Sequence, residues 1–183
     1  MRHTITHLSI GVLGILAAVT IGCQGSSNIV GPEAKLPGSP DSAEFLDGMS
    51  SQKFVTENQA MRGMLLLLDG KDNVKTFAQR VGDLRGRGII SSRWDCTANR
   101  PLTKGKLAYM VYQACQIPGG VTLLITGPSQ RYCLRELQFR SIISPGAGST
   151  SVSGIEYVAV LSRGAAYMET GNVPQTMKVK WSR

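Results

Sequence analysis

Residues 77–114 read FAQRVGDLRGRGIISSRWDCTANRPLTKGKLAYMVYQA, and this stretch decides the fold of the chain. Its first part places Phe77, Val81 and Leu84 three and four residues apart. This is the spacing of one helix face, so the pattern predicts a helix over about residues 73–87. A glycine-containing segment and a polar loop follow the helix.

The second part of the stretch predicts another helix, which should begin after Pro101 because proline is tolerated only at a helix start. Its apolar stripe consists of Leu107, Met110, Val111 and Ala114. The stretch as a whole therefore predicts a unit of helix, loop and helix, with both apolar stripes facing a shared core.

This unit recurs along the chain. Residues 84–91, LRGRGIIS, parallel residues 137–144, LQFRSIIS, with the two isoleucines at one constant offset. Helix starts at Thr56, Thr103 and Ser151 follow at nearly equal steps of about 47–48 residues. Periods of roughly 20–50 residues are typical of repeat architectures. The alternative is a chance similarity between short amphipathic helices.

Three further helices are predicted outside this stretch. One runs from Thr56 to Gly70, where Thr56 and Gln59 have the spacing of a capping box. The others begin near Ser129 and after Ser153. The inward-facing residues of the last helix should be Ile155, Val158 and Ala159.

These patterns predict a mainly α fold, a small bundle of about five helices from degenerate helix-loop-helix repeats. Residues 121–126, VTLLIT, are rich in β-branched side chains and lie between a Gly-Gly pair and a Gly-Pro pair, which favours a short strand. Residues 177–182 alternate in polarity and also fit a strand. The two segments could pair as a minor two-stranded β element, or the tail could be a disordered basic end.

The N-terminal segment has the features of an export signal. Arg2 is followed by the uncharged run LSIGVLGILAAVTI and then by Gly22 and Cys23, and a membrane span would need about 20 apolar residues. Residues 20–23 resemble the bacterial lipobox, although Thr20 stands where that family usually has leucine. The resemblance implies that Cys23 carries lipid as the new N-terminus, and that the protein is membrane-anchored, facing the periplasm or the cell surface. Plain secretion and a retained anchor are the alternatives.

The chain then divides into four parts. Residues 1–22 are the predicted signal peptide, and residues 23–52 are the lipidated cysteine with a flexible linker, because glycine, serine and proline dominate there. Phe45 and Leu46 could instead dock on the folded part. Residues 53–170 form the predicted helical repeat domain, and residues 171–183 form a basic C-terminal tail.

The composition limits the kinds of catalytic and metal-binding site that the mature part can contain. Both histidines, His3 and His7, lie in the predicted signal peptide, which excludes histidine-based nucleophilic catalysis and histidine metal sites from the mature part. The sequence indicates no cofactor and favours a protein that is not an enzyme. A carboxylate-based enzyme is a weaker alternative, and its candidate residues are Glu57, Asp69, Glu136 and Glu156.

The chain is basic, with a formal net charge of +8, and a basic surface favours anionic partners. Seven basic residues fall within one short stretch; they are Arg80, Arg85, Arg87, Arg93, Arg100, Lys104 and Lys106. Arginine binds phosphate and carboxylate groups through two nitrogens at once. Export argues against nucleic acid as the partner.

The unit at residues 77–114 resembles the S-layer homology repeat, in which a helix, a Gly-Ile-Ile turn and a polar loop precede a second helix. A degenerate second copy follows, a half copy precedes both at Thr56, and together the copies cover most of residues 55–168. The resemblance implies binding of an anionic cell-wall polymer, with Thr103 and Lys104 at the binding positions. The alternative is a purely structural module that docks another envelope protein.

Three more residues complete the predicted polymer site, namely Arg87, Arg93 and Trp94. Trp94 could stack on a sugar or fill the core.

Three cysteines follow Cys23, and export permits disulfides between them. We predict a Cys115–Cys133 bond, because these residues lie near facing ends of consecutive helices, with Cys96 left as a free thiol. A cysteine metal site needs about four closely spaced ligands, which this sequence does not supply.

Overall fold

The computed structural model describes residues 40–174. The predicted signal peptide, Cys23, the first part of the linker and residues 175–183 lie outside this range. Within it the chain forms helices and no strand, so the predicted mainly α bundle is confirmed. The helices are α1 (Pro40–Ser50), α2 (Glu57–Asp69), α3 (Phe77–Gly86), α4 (Lys104–Ala114), α5 (Val121–Thr126), α6 (Gln130–Phe139) and α7 (Gly154–Thr170).

Local sequence signals fix the helix ends. The predicted capping box at the start of α2 is confirmed: the Gln59 amide donates to Thr56 Oγ1, and the Thr56 amide donates to Gln59 Oε1 at 2.9 Å. Gly70 ends α2 in the left-handed conformation, with φ of 70°, which glycine adopts without steric cost. Ser129 caps α6 and Ser153 caps α7 through their side chains.

A ring of backbone hydrogen bonds joins the starts of α2, α4 and α7. The Val55 amide donates to Val152 O at 3.0 Å, the Val152 amide to Leu102 O at 2.9 Å, and the Leu102 amide to Val55 O at 2.7 Å. All three residues are fully buried, so the ring satisfies polar groups that water cannot reach. The three helix-loop-helix units therefore close on one another in a cycle.

The ring corrects the predicted position of one repeat. Because Val55, Leu102 and Val152 are equivalent, the equivalent helix caps are Thr56, Thr103 and Ser153. The sequence spacing predicts the third helix start at Ser151, which is two residues too early. Spacing alone does not show that the loop before this helix is longer than in the other units.

The turn after each outer helix is the same in two units. The Ile89 amide donates to Leu84 O at 2.9 Å, and the Ile142 amide donates to Leu137 O at the same distance. The predicted similarity between residues 84–91 and 137–144 therefore reflects a shared backbone conformation.

Helix α1 supplies the outer helix of the first unit. Each inner helix packs on an outer one: α2 on α3, α4 on α6, and α7 on α1. Leu46 and Met49 are buried in the common core, and the alternative that Phe45 and Leu46 dock on the domain is confirmed. The predicted flexible linker is wrong from residue 40 onward, because its scattered apolar residues become one face once a helix forms against α7.

Residues 121–126 form helix α5, so the predicted strand is wrong. The Leu124 amide donates to Gly120 O and the Gly127 amide to Leu123 O. No strand pairs with this segment in residues 40–174, and a lone strand would leave these groups unpaired. Local helical bonds therefore override the β propensity of the segment.

The inward face of α7 also differs from the prediction. Ile155 is 69% exposed, whereas Tyr157, Val160 and Leu161 are fully buried. The rotation of α7 about its own axis is fixed at Gly154, whose backbone amide donates to Gln52 O at 2.9 Å. This contact turns Ile155 away from the core.

Candidate functional site

Lys104, one of the predicted polymer contacts, is buried in an ion pair. Its ammonium lies 2.8 Å from Glu156 Oε1 and donates to Ser144 Oγ at 2.7 Å and to Pro145 O at 3.0 Å. Only 6% of the side chain is exposed. An ammonium has three protons, and all of them have acceptors here. The predicted polymer-binding role of Lys104 is therefore wrong: the residue fastens the loop before α7 to α4.

Thr103, the other residue implied by the S-layer resemblance, caps α4. Its hydroxyl oxygen accepts from the Lys106 amide. Its side chain is half-buried, so its predicted contact with a polymer stays a prediction.

Trp94 covers a second buried ion pair. Lys106 Nζ lies 2.5 Å from Glu57 Oε1 and 5.5 Å from the centre of the Trp94 ring, and the Glu57 side chain is only 2% exposed. The Trp94 ring also packs on Tyr109, with 5.1 Å between ring centres. Trp94 thus lies half-buried against the core. This placement matches the alternative in which Trp94 fills the core instead of stacking on a sugar.

Arg87 and Arg93 differ in how far their charges are neutralised. Arg87 donates to Asp69 at 2.8 Å and to Asp83 at 3.0 Å, and these hydrogen bonds raise the pKa of its guanidinium. Arg93 is exposed and has no side-chain partner among residues 40–174. The predicted polymer-binding arginines therefore have different neighbours: two carboxylates hold Arg87, whereas none of the described residues holds the Arg93 side chain.

A groove with a volume of about 620 Å³ is bordered by residues of α1, α2 and α3. It is lined by Glu44, Phe45, Gly48, Met49, Gln52, Asn58, Gln59, Arg62 and Arg80. The sequence patterns do not predict this groove, because the composition of residues 23–52 places the wall that α1 supplies in the linker. The signal that could have found it is the apolar spacing of Phe45 and Met49, four residues apart.

The two arginines of the groove have different roles. Arg80 is fixed by Asp72 at 2.7 Å, by Asn58 and by a backbone carbonyl, and its side chain is 12% exposed. Arg62 is 41% exposed and lies 4.4 Å above the Phe45 ring. Its Nε is buried and lies 3.8 Å from Asp72 Oδ2, too far for a hydrogen bond, so Asp72 holds Arg62 less closely than it holds Arg80. Arg62 therefore presents a guanidinium that can still bind an anion.

The four carboxylates proposed for an enzyme all pair with basic groups. Glu57 pairs with Lys106, Asp69 with Arg87, Glu136 with Arg140 and Glu156 with Lys104.

The predicted disulfide between Cys115 and Cys133 is wrong, because both residues and Cys96 are free thiols. The Cys115 thiol faces α7, where it donates to Gly164 O at 3.6 Å. Cys133 is buried where α6 packs on α4. Burial raises the pKa of each of these two thiols to about 12.

The fold and the groove define a small helical protein built from three cyclically bonded helix-loop-helix units. Comparison of the chain with protein-family models, with curated proteins and with solved structures found no match. None of the helices described has both the length and the apolar character of a membrane span. Residues 40–174 also hold no cluster of three or more side chains suited to a metal ion.

Proposed function

We propose that this chain is an exported lipoprotein, attached to a membrane through Cys23, whose helical module binds an anionic polymer of the cell envelope. The observation that carries the binding role is the Arg62 side chain, which is 41% exposed and lies over the Phe45 ring in an open groove. The N-terminal segment supports export and attachment.

The chemistry of the groove suits an acidic sugar polymer. Its volume of about 620 Å³ falls within the range of roughly 300–1,000 Å³ that is typical of small-ligand sites. A phosphate, carboxylate or pyruvyl group can accept from the Arg62 guanidinium through two parallel hydrogen bonds. The side-chain amides of Gln52, Asn58 and Gln59 can donate to and accept from hydroxyl groups.

Two features support a binding role over an enzymatic one. The candidate carboxylates Glu57 and Glu156 are held in ion pairs with Lys106 and Lys104, so both already have a partner within the fold. No histidine follows His7 in the sequence, so the described part of the chain has no imidazole base.

The binding role is tested by co-sedimentation of the purified protein with cell-wall material at low salt. Arg62→Gln should weaken binding by at least about tenfold, since losing a hydrogen bond to a charged group costs roughly 1.5–3 kcal/mol. The wild-type interaction should also weaken as salt is added, because exposed charges are screened.

Arg87→Gln is the matched control for this test. It removes the same charge, but from a side chain that Asp69 and Asp83 already occupy, so binding should change by less than about twofold. Arg93→Gln examines the exposed loop arginine. Loss of binding in Arg93→Gln with normal binding in Arg62→Gln would move the site from the groove to the loop.

Attachment is tested separately by incorporation of labelled palmitate, with Cys23→Ala as the control. Label should enter the wild type only. Equal labelling of both proteins, or labelling of neither, would contradict attachment at Cys23.

A further inference from the structure

Helix α5 presents an apolar face to solvent. Val121 is 75% exposed, Leu124 85% and Ile125 78%, while Leu123 on the opposite side is buried. Exposed large apolar side chains of monomeric proteins are usually scattered singly, and a contiguous group marks an interaction surface. The segment around α5, residues 116–129, contains no charged residue.

The neighbouring helix α6 adds positive charge and a fourth exposed apolar side chain. Arg131, Arg135 and Phe139 are four residues apart, so they share one helix face. Phe139 is 86% exposed, and both arginines are exposed. Neither arginine has a side-chain partner within residues 40–174, unlike Arg140, which pairs with Glu136 at 2.7 Å.

Helix α5 is held on α6 through the segment that leads into it. Arg140 donates to Pro118 O at 2.9 Å, and a Cβ added to Gly120 would lie 3.5 Å from Glu136 Oε2. Leu123 completes the contact by packing into the core. The segment that carries the apolar face of α5 therefore lies against α6, the helix that carries Arg131 and Arg135.

We propose that α5 inserts Val121, Leu124 and Ile125 into the interface of an anionic membrane, where Arg131 and Arg135 bind lipid phosphates. This inference rests on the proposed attachment through Cys23, which brings the domain to a membrane. An apolar face flanked by arginines is the arrangement of interfacial membrane-binding helices. Charge complementarity selects the occupant, because phosphates of anionic lipids match two unpaired guanidinium groups.

The experiment uses the full mature protein, reconstituted through its own anchor into vesicles that contain phosphatidylglycerol and brominated lipid. Leu124→Trp places a fluorescent reporter on α5, and wild-type emission is subtracted as the background. Brominated lipid should quench the reporter several-fold more than a Phe54→Trp reporter. Phe54 is 46% exposed but precedes α2, so it is the matched control.

Two variants test the physical basis of the contact. Adding Ile125→Asp to the reporter should abolish the extra quenching, because a charge cannot enter the apolar layer without cost. Adding Arg131→Gln with Arg135→Gln should lower it in phosphatidylglycerol vesicles and leave it unchanged in neutral vesicles. All of these positions are exposed, so the fold should persist.

The outcomes separate this inference from the proposed function. Protein that is not recovered with the vesicles would overturn both the attachment and the membrane contact. Protein that is recovered, with equal quenching of the two reporters, would overturn the contact alone. A blue shift of the Leu124→Trp reporter that depends on protein concentration, without quenching by brominated lipid, would overturn it too and would assign the face to a second copy of the chain.

Discussion

Replacing Lys104 by methionine tests whether this residue is part of the fold or of a binding surface. Methionine nearly fills the space of the lysine side chain but cannot bind Glu156, whose side chain is 19% exposed. Breaking a buried ion pair by removing one partner costs about 3–5 kcal/mol. The lower end, about 3 kcal/mol, is expected here, because Glu156 still accepts from Ser144 and partly reaches water.

The assay is thermal and urea unfolding followed by circular dichroism. A loss of about 3 kcal/mol should lower Tm by roughly 6–12 °C, given about 2–4 °C per kcal/mol for a chain of this size. The double variant Lys104→Met with Glu156→Gln should recover part of the loss, because no unpaired buried charge is left.

Two results would refute this reasoning. One is a destabilisation below about 1 kcal/mol, which would match an exposed pair. The other is a Lys104→Met protein that remains as stable as the wild type but loses polymer binding, which would restore the role inferred from the S-layer resemblance.

Two further predictions concern close packing and pH. Gly154→Ala should destabilise the protein by at least about 3 kcal/mol, because the added Cβ would lie 1.7 Å from Met49 O. Gly82→Ala, with no atom within 4 Å of its added Cβ, should instead stabilise α3 by about 0.5–1 kcal/mol. If urea unfolding gives the same change in stability for both variants, the packing argument is contradicted. Above about pH 9 the Cys115 thiol ionises in the unfolded chain but stays protonated in the fold up to about pH 12, so the unfolded state binds fewer protons and stability falls as pH rises. Between pH 7 and pH 10.5 the free energy of unfolding should therefore fall by about 2 kcal/mol less in Cys115→Ala than in the wild type. Urea midpoints that fall by the same amount in both proteins would contradict this.

The predicted helices that the structure confirms are those with local signals at both ends. The helix from Thr56 to Gly70 is correct because its cap and its left-handed terminus involve residues within a few positions of one another. Residues 121–126 show the limit of this approach. Their side chains favour a strand, but a strand needs a partner, and the structure supplies none in residues 40–174.

The candidate site was harder to predict than the fold. Charge clustering predicts a site among the basic residues, but Lys104 is held by a carboxylate that lies far away in sequence, and Arg87 is held in part by Asp69 on another helix. Arg62 was not selected, because its importance comes from Phe45 on a helix that composition had assigned to a linker.

By itself the sequence determined the helical class, most helix boundaries and the recurrence of the isoleucine turn, because hydrogen bonds over three or four residues and helical periodicity are local properties. Only the tertiary structure decided that the units close through Val55, Leu102 and Val152, that α1 joins the core, and that Lys104 is buried. Those outcomes depend on backbone groups and charges that lie some fifty residues apart in the sequence. These groups pair because apolar surfaces from distant segments are buried against each other, and no neighbouring residue specifies that arrangement.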